Sequence, residues 1–69
     1  MNFTQRAENY YSQDDRYKLT RGVQGWSVWW RSTDLSPHNR VARDLPTCAS
    51  AMGWCREHEA ERAKEAYLA

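Results

Sequence analysis

Cys48, Cys55 and His58 are the residues whose types and spacing could do covalent or metal chemistry. Cys55 and His58 stand three apart, which on a helix sets a thiol beside an imidazole. An imidazole that takes the thiol proton leaves a nucleophilic thiolate. That arrangement wants a third group to orient the imidazole, and none is evident in the sequence. A zinc site would need a further ligand and normally a C-x-x-C knuckle, and both are missing. Seven residues apart on a helix, Cys48 and Cys55 lie on one face about 10.5 Å apart along the axis. A disulfide needs Cα atoms within about 7 Å. They are therefore read as reduced, small core residues, which fits a cytoplasmic compartment. His38 lies in a polar loop and His58 on a charged helical stretch, and both are expected to be solvated. The expectation is no catalytic residue, no metal, no cofactor and no enzyme activity.

Binding chemistry is better represented. Gly25-Trp26-Ser27-Val28-Trp29-Trp30-Arg31 holds three tryptophans within five residues. A strand alternates its side chains between two faces. Trp26, Val28 and Trp30 then form a core face, and Ser27, Trp29 and Arg31 point the other way. An indole beside a guanidinium is characteristic of contact hot spots, and an aromatic on a basic sheet can also stack on nucleic-acid bases. Trp29, Arg31, Arg21 and Arg40 are the candidate partner-binding residues. The alternative for Trp29 is burial under an N-terminal helix carrying Phe3, Tyr10 and Tyr11.

The elements that must position these residues are read as follows. Phe3, Ala7, Tyr10 and Tyr11 recur at helical spacing, with Asn2 as cap and Gln5 in the capping-box position, so Asn2 to about Ser12 is expected as a short helix. Arg16 to Arg21 and Trp26 to Ser32 read as paired strands around a Gly22-Val23-Gln24-Gly25 turn. Arg40 to Arg43 is an optional third strand. Leu45-Pro46-Thr47 announces a long helix with Thr47 as N-cap. Cys48, Ala51, Met52 and Cys55 make its apolar stripe, to pack on Trp26, Val28 and Trp30. Gly53 weakens that helix by about 1 kcal/mol against Ala and suggests a close approach to the sheet. From Arg56 onward the helix is polar and is expected to leave the core, with Glu59–Arg62 and Glu61–Lys64 at ion-pair spacing.

The expected fold is α+β: a short N-terminal helix, a two- or three-stranded antiparallel sheet, and a long C-terminal helix packed on the sheet. One domain spans residues 1–69, divided into a helix over 1–15, a basic Trp-rich sheet over 16–43 and a helix over 45–69. A chain this short buries only about 60% of its unfolded surface, so nine aromatics, four of them Trp, are its main resource for stability. No apolar run has the length of a membrane span or signal segment. The net charge of +1 is unevenly placed. Residues 1–15 carry −2, residues 16–43 carry +5 and residues 44–69 carry −2. A basic centre can mark a polyanion-binding face or merely complement the acidic helix.

Arg21-Gly22-Val23, Trp26-Ser27-Val28-Trp29-Trp30-Arg31 and Leu45-Pro46-Thr47-Cys48-Ala49-Ser50-Ala51-Met52 together resemble the plant ethylene-response-factor type of DNA-binding domain. Relatives of that fold occur in phage integrase and homing-nuclease modules. The resemblance covers about residues 16–60 and implies a three-stranded sheet read into the major groove and backed by one helix. It would place DNA contacts on Arg21, Trp29, Arg31 and Arg40. The chain departs from the family at Ala49-Ser50-Ala51, where an acidic residue usually precedes an Ala pair. In size and architecture the chain is also similar to small phage-encoded modulators that bind and block a host protein. Dedicated DNA-binding domains usually have a pI above about 9, whereas this chain stands near 7.8. The sequence therefore favours a phage-type or mobile-element accessory modulator with a protein partner. DNA or RNA binding is the alternative, a homodimer is possible, and no membrane is involved. Glu57, Glu61 and Glu65 offer a secondary contact surface.

Overall fold

The computed structural model describes residues 2–68, with side chains described through residue 65. Five strands follow one another: β1 (Phe3–Arg6), β2 (Asn9–Ser12), β3 (Tyr17–Gly22), β4 (Gly25–Trp30) and β5 (Asn39–Leu45). They form one antiparallel sheet in sequence order, and α1 (Cys48–Leu68) follows. The α+β class and the long helix on the sheet stand. The short N-terminal helix and the two- or three-stranded count are corrected to a β-hairpin and five strands.

The first hairpin shows why helical spacing misled. Phe3 pairs with Ser12 and Gln5 with Tyr10, so the aromatics sit on a pleat rather than on a helical stripe. Nine residues make a marginal helix, whereas tyrosines fit a half-buried sheet surface well. Asn2 does not cap a helix: its carbonyl accepts from the Gln13 amide at 3.0 Å and extends the hairpin. Ala7 makes the tight turn at φ 56°, without the glycine that would have announced it. Met1 and Ala69, outer bounds of the two expected helices, lie outside the described residues.

The β2–β3 turn is built by Ser12, which is 3% exposed. Its hydroxyl donates to Asp14 at 2.7 Å and accepts from the Tyr17 amide at 3.0 Å. Burial pushes the Asp14 carboxyl up, but hydrogen bonds from the Ser12 hydroxyl and the Arg16 amide outweigh it and hold the group below its usual range. β5 is longer than the expected strand at Arg40 to Arg43. Register shifts break its pairing on both sides of Val28, and Asp44 takes φ 60°. These bulges turn Ala42 and Leu45 toward the helix side, where they pack against the core. Arg40 and Arg43 line the opposite side beside Ser27.

Thr47 caps α1 as its sequence suggests, with Oγ1 accepting from the Ser50 amide at 3.0 Å. The helix packs on β3, β4 and β5. Tyr17, Leu19, Val28, Ala51 and Cys55 form the buried core, with Trp26, Trp30, Cys48, Met52 and Trp54 packed against it. Cys48, Met52 and Cys55 thus belong to the same core cluster as Trp26, Val28 and Trp30, on the face where the sequence expects them. Gly53 is not explained by a close approach, since a Cβ there would meet nothing within 4 Å.

Candidate functional site

The register across four strand pairs builds one row on the face away from α1. Thr4 lies opposite Tyr11, Tyr11 opposite Lys18, Lys18 opposite Trp29, and Trp29 opposite Arg40. Neighbours in such a row have Cβ atoms about 4.5–5.5 Å apart and interact directly. The Lys18 ammonium stands 5.8 Å from the Trp29 ring centre, and the Arg40 guanidinium 5.7 Å on the other side. The Trp29 indole N–H donates to Thr20 Oγ1 at 2.9 Å, which fixes the orientation of the ring. At the β1 end of the row, the Arg6 guanidinium lies 4.2 Å over Tyr11 and is paired with Asp15. Arg43 adds a fourth cation, 3.9 Å from Asp44. Lys18 and Arg40 have no carboxylate within ion-pair distance among the described residues. The face is thus a half-buried indole with its polar atom satisfied, between two cations that no acid neutralises.

The anticipated contact residues divide. Trp29 and Arg40 meet on this face. Arg21 does not join them, because it pairs with Trp26 and lies on the helix side, lining a groove with Tyr10. Arg31 is committed to structure: its Nε donates to the Asp15 carbonyl at 3.0 Å, and a terminal nitrogen reaches the Asp34 carbonyl at 3.4 Å. Glu57, Glu61 and Glu65 are exposed along α1. No Glu–Arg or Glu–Lys pair of this helix comes within ion-pair distance among the described residues. The residues of this face that sequence reasoning missed as contacts are Tyr11 and Lys18 in the row, with Arg6 and Arg43 at its margins. Lys18 becomes visible only once β3 is registered against β4.

A second cluster lies on the helix side and corrects the expectation of solvated histidines. His58 is half-buried, stacked on Trp54 at 5.0 Å and edge-on to Trp30 and Tyr17. Its Nδ1 is 2.6 Å from the Tyr17 hydroxyl. Burial, then the Arg62 cation, pushes the imidazole below its usual pKa. Burial raises Tyr17 to about 12. His58 and Arg62, the latter 4.2 Å over Trp30, also carry sheet contacts past Arg56, where the helix was expected to leave the core. His38 is half-buried too, with Nε2 3.0 Å from the Asp15 carbonyl. Cys48 and Cys55 are free thiols. Burial pushes both up, Cys55 to about 12, which leaves neither a ready nucleophile at neutral pH. Among the described residues, no three His, Cys, Asp or Glu side chains gather as a metal site. No helix among them is long and apolar enough to cross a membrane.

No family model matches the chain, and neither a curated protein nor a solved structure matches it.

Proposed function

We propose that this chain is a non-enzymatic binding protein that engages nucleic acid through the helix-free face of its sheet. The observation that carries the reading is the Tyr11–Lys18–Trp29–Arg40 row, with Arg6 and Arg43 at its margins. Phosphates are met by cations, and the bases by flat aromatic rings held in place beforehand. Lys18 and Arg40 are open to such contacts, while α1 keeps its carboxylates on the other side of the sheet. The contacts made this way are to backbone and base faces, so little sequence preference is expected. Two free thiols fit a reducing compartment such as the cytoplasm.

Fluorescence anisotropy with labelled mixed-sequence DNA, duplex and single-stranded, tests the reading. If Lys18 and Arg40, the cations of the row without an ion-pair partner, each neutralise a phosphate, the log–log salt slope should be about −2 on duplex. Affinity should then fall about tenfold between roughly 50 and 200 mM salt. Lys18→Glu should flatten the slope as well as weaken binding. A flat salt response, or a Lys18→Glu variant that binds like the parent, refutes it.

The second reading is a phage-type modulator that binds a host protein and blocks or redirects it. Leu35, in the loop before β5, is 98% exposed and favours this reading. A partner recovered after nuclease treatment, and lost on Leu35→Asp, would mark that outcome.

A further inference from the structure

Turns β1–β2 and β3–β4 lie at the same end of the sheet, and between them on the helix side runs a groove of about 590 Å³. Tyr10 and Trp26 line it, with rings 5.8 Å apart and tilted 60°. Both are half-buried and lean on the core, so the recess is held from beneath. Val23 stands at its rim, 106% exposed, with the whole side chain in water. Glu8 and Arg21 line the same groove, and neither has an opposite charge within ion-pair distance among the described residues.

An interface between identical copies related by a two-fold axis must carry both halves of every contact on one patch. This groove does so. It pairs an apolar projection, Val23, with an apolar recess, Tyr10 and Trp26, and a carboxylate with a guanidinium. We infer that the groove docks a second copy of the chain. Val23 of each copy enters the Tyr10–Trp26 recess of the other, and Arg21 of each faces Glu8 of the other.

The broad charged surfaces meet this requirement less well. The open sheet face would set Lys18, Arg40 and Arg43 against themselves. The exposed side of α1 carries charges of both signs but, among the described residues, no large exposed apolar side chain to serve as a projection. Pairing two β5 edges in the register that sets Arg40 opposite Arg43 would bring like charges together, which is destabilising. The basic sheet and the acidic helix do complement each other, but that contact is head-to-tail and generates open chains unless the rotation closes. Docking at the groove leaves the Trp29 face free, so it stands independently of the proposed function.

Sedimentation equilibrium of the full chain over rising concentration is the test. A single species of twice the chain mass is expected. Val23→Glu should raise the dissociation constant about a hundredfold, because two-fold symmetry counts each substitution twice. Its melting temperature at low concentration should stay that of the parent monomer, since Val23 touches no core residue. Glu8→Arg should weaken the dimer by gathering only guanidinium groups at the contact. The charge exchange Glu8→Arg with Arg21→Glu should restore it. A parent chain that stays monomeric at millimolar concentration overturns the inference, as does a dimer that survives Val23→Glu. A ladder of species beyond the dimer overturns it too, and would point to sheet-on-helix stacking.

Discussion

Removing the His58 imidazole should destabilise the fold by about 1.5–4.5 kcal/mol, and the figure follows from the surroundings of Tyr17. That residue is 2% exposed, and its hydroxyl lies 2.6 Å from His58 Nδ1. In His58→Ala the hydroxyl loses its partner where water has little access, a penalty of about 1–3 kcal/mol. The stack on Trp54 and the edges toward Trp30 and Tyr17 are lost with the ring, worth about 0.5–1.5 kcal/mol more. Tyr17→Phe is the milder change. It removes the buried hydroxyl altogether and leaves only His58, which can turn to solvent, at about 0.5–1.5 kcal/mol. Adding Tyr17→Phe to His58→Ala should therefore recover part of the loss. Thermal melts followed by circular dichroism can resolve this, since 1 kcal/mol moves the Tm of a domain this size by about 4–8 °C. The pH dependence has a defined sign. Burial, then Arg62, lowers the His58 pKa from 6.5, against the opposing carboxylates of Glu61 and Glu65. The folded state thus binds fewer protons than the unfolded one in that window. The contribution is complete above pH 6.5 and is lost as the pH falls through that value toward the folded pKa. Relative to His58→Phe, the parent should lose stability as the pH falls below 6.5. A His58→Ala variant that melts with the parent at neutral pH, or a parent that gains stability on acidification against His58→Phe, refutes the reasoning.

Two further perturbations have clear directions. Gly25 sits at φ 135°, and a Cβ there would lie 2.6 Å from the Leu45 carbonyl oxygen. Gly25→Ala should therefore cost about 2–4 kcal/mol by melting, whereas Gly53→Ala, with open space at its Cβ, should stabilise α1 by about 0.5–1 kcal/mol; equal effects at the two sites would contradict this account. Trp29→Ala should abolish nucleic-acid binding in the anisotropy assay while shifting the melt little, because the ring lies outside the core cluster. A variant that binds DNA normally and melts early would give Trp29 a packing role and refute the sheet row as the contact surface.

Legibility in the sequence followed how local each signal was. Thr47, the Gly22–Gly25 turn and the alternation through Trp26–Trp30 depend on near neighbours, and each is found where the sequence suggests. The first hairpin was hidden because its turn rests on Ala7 at positive φ, and because Phe3, Tyr10 and Tyr11 match a helical period by coincidence. The full length of β5 is hidden because bulges break its alternation, so Ala42 and Leu45 do not read as one face. Nearness in sequence groups Arg21 and Arg31 with Trp29, but pairing with Trp26 sends Arg21 to the helix side and hydrogen bonds to loop carbonyls hold Arg31. Lys18 joined Trp29 only through register, which no single strand displays. The burial of His58 is invisible in its own helix, because its aromatic partners Tyr17 and Trp30 come from strands distant in the chain.

The unbroken strand order has a kinetic consequence. Every pairing in the sheet joins strands adjacent in the chain, so each hairpin can close without a long loop being brought together first. Helix docking differs: the Tyr17–His58 bond spans 41 residues. Folding should therefore divide into rapid zipping of the meander and a slower capture of α1, with sheet topology placing the overall rate well above that of Greek-key sandwiches. During synthesis the meander is complete before α1 has been made, and Leu19 and Val28 then depend on the arriving Ala51 and Cys55 to exclude water from their face. The interval between those events is when the chain is most open to mispairing with another copy through its exposed apolar face.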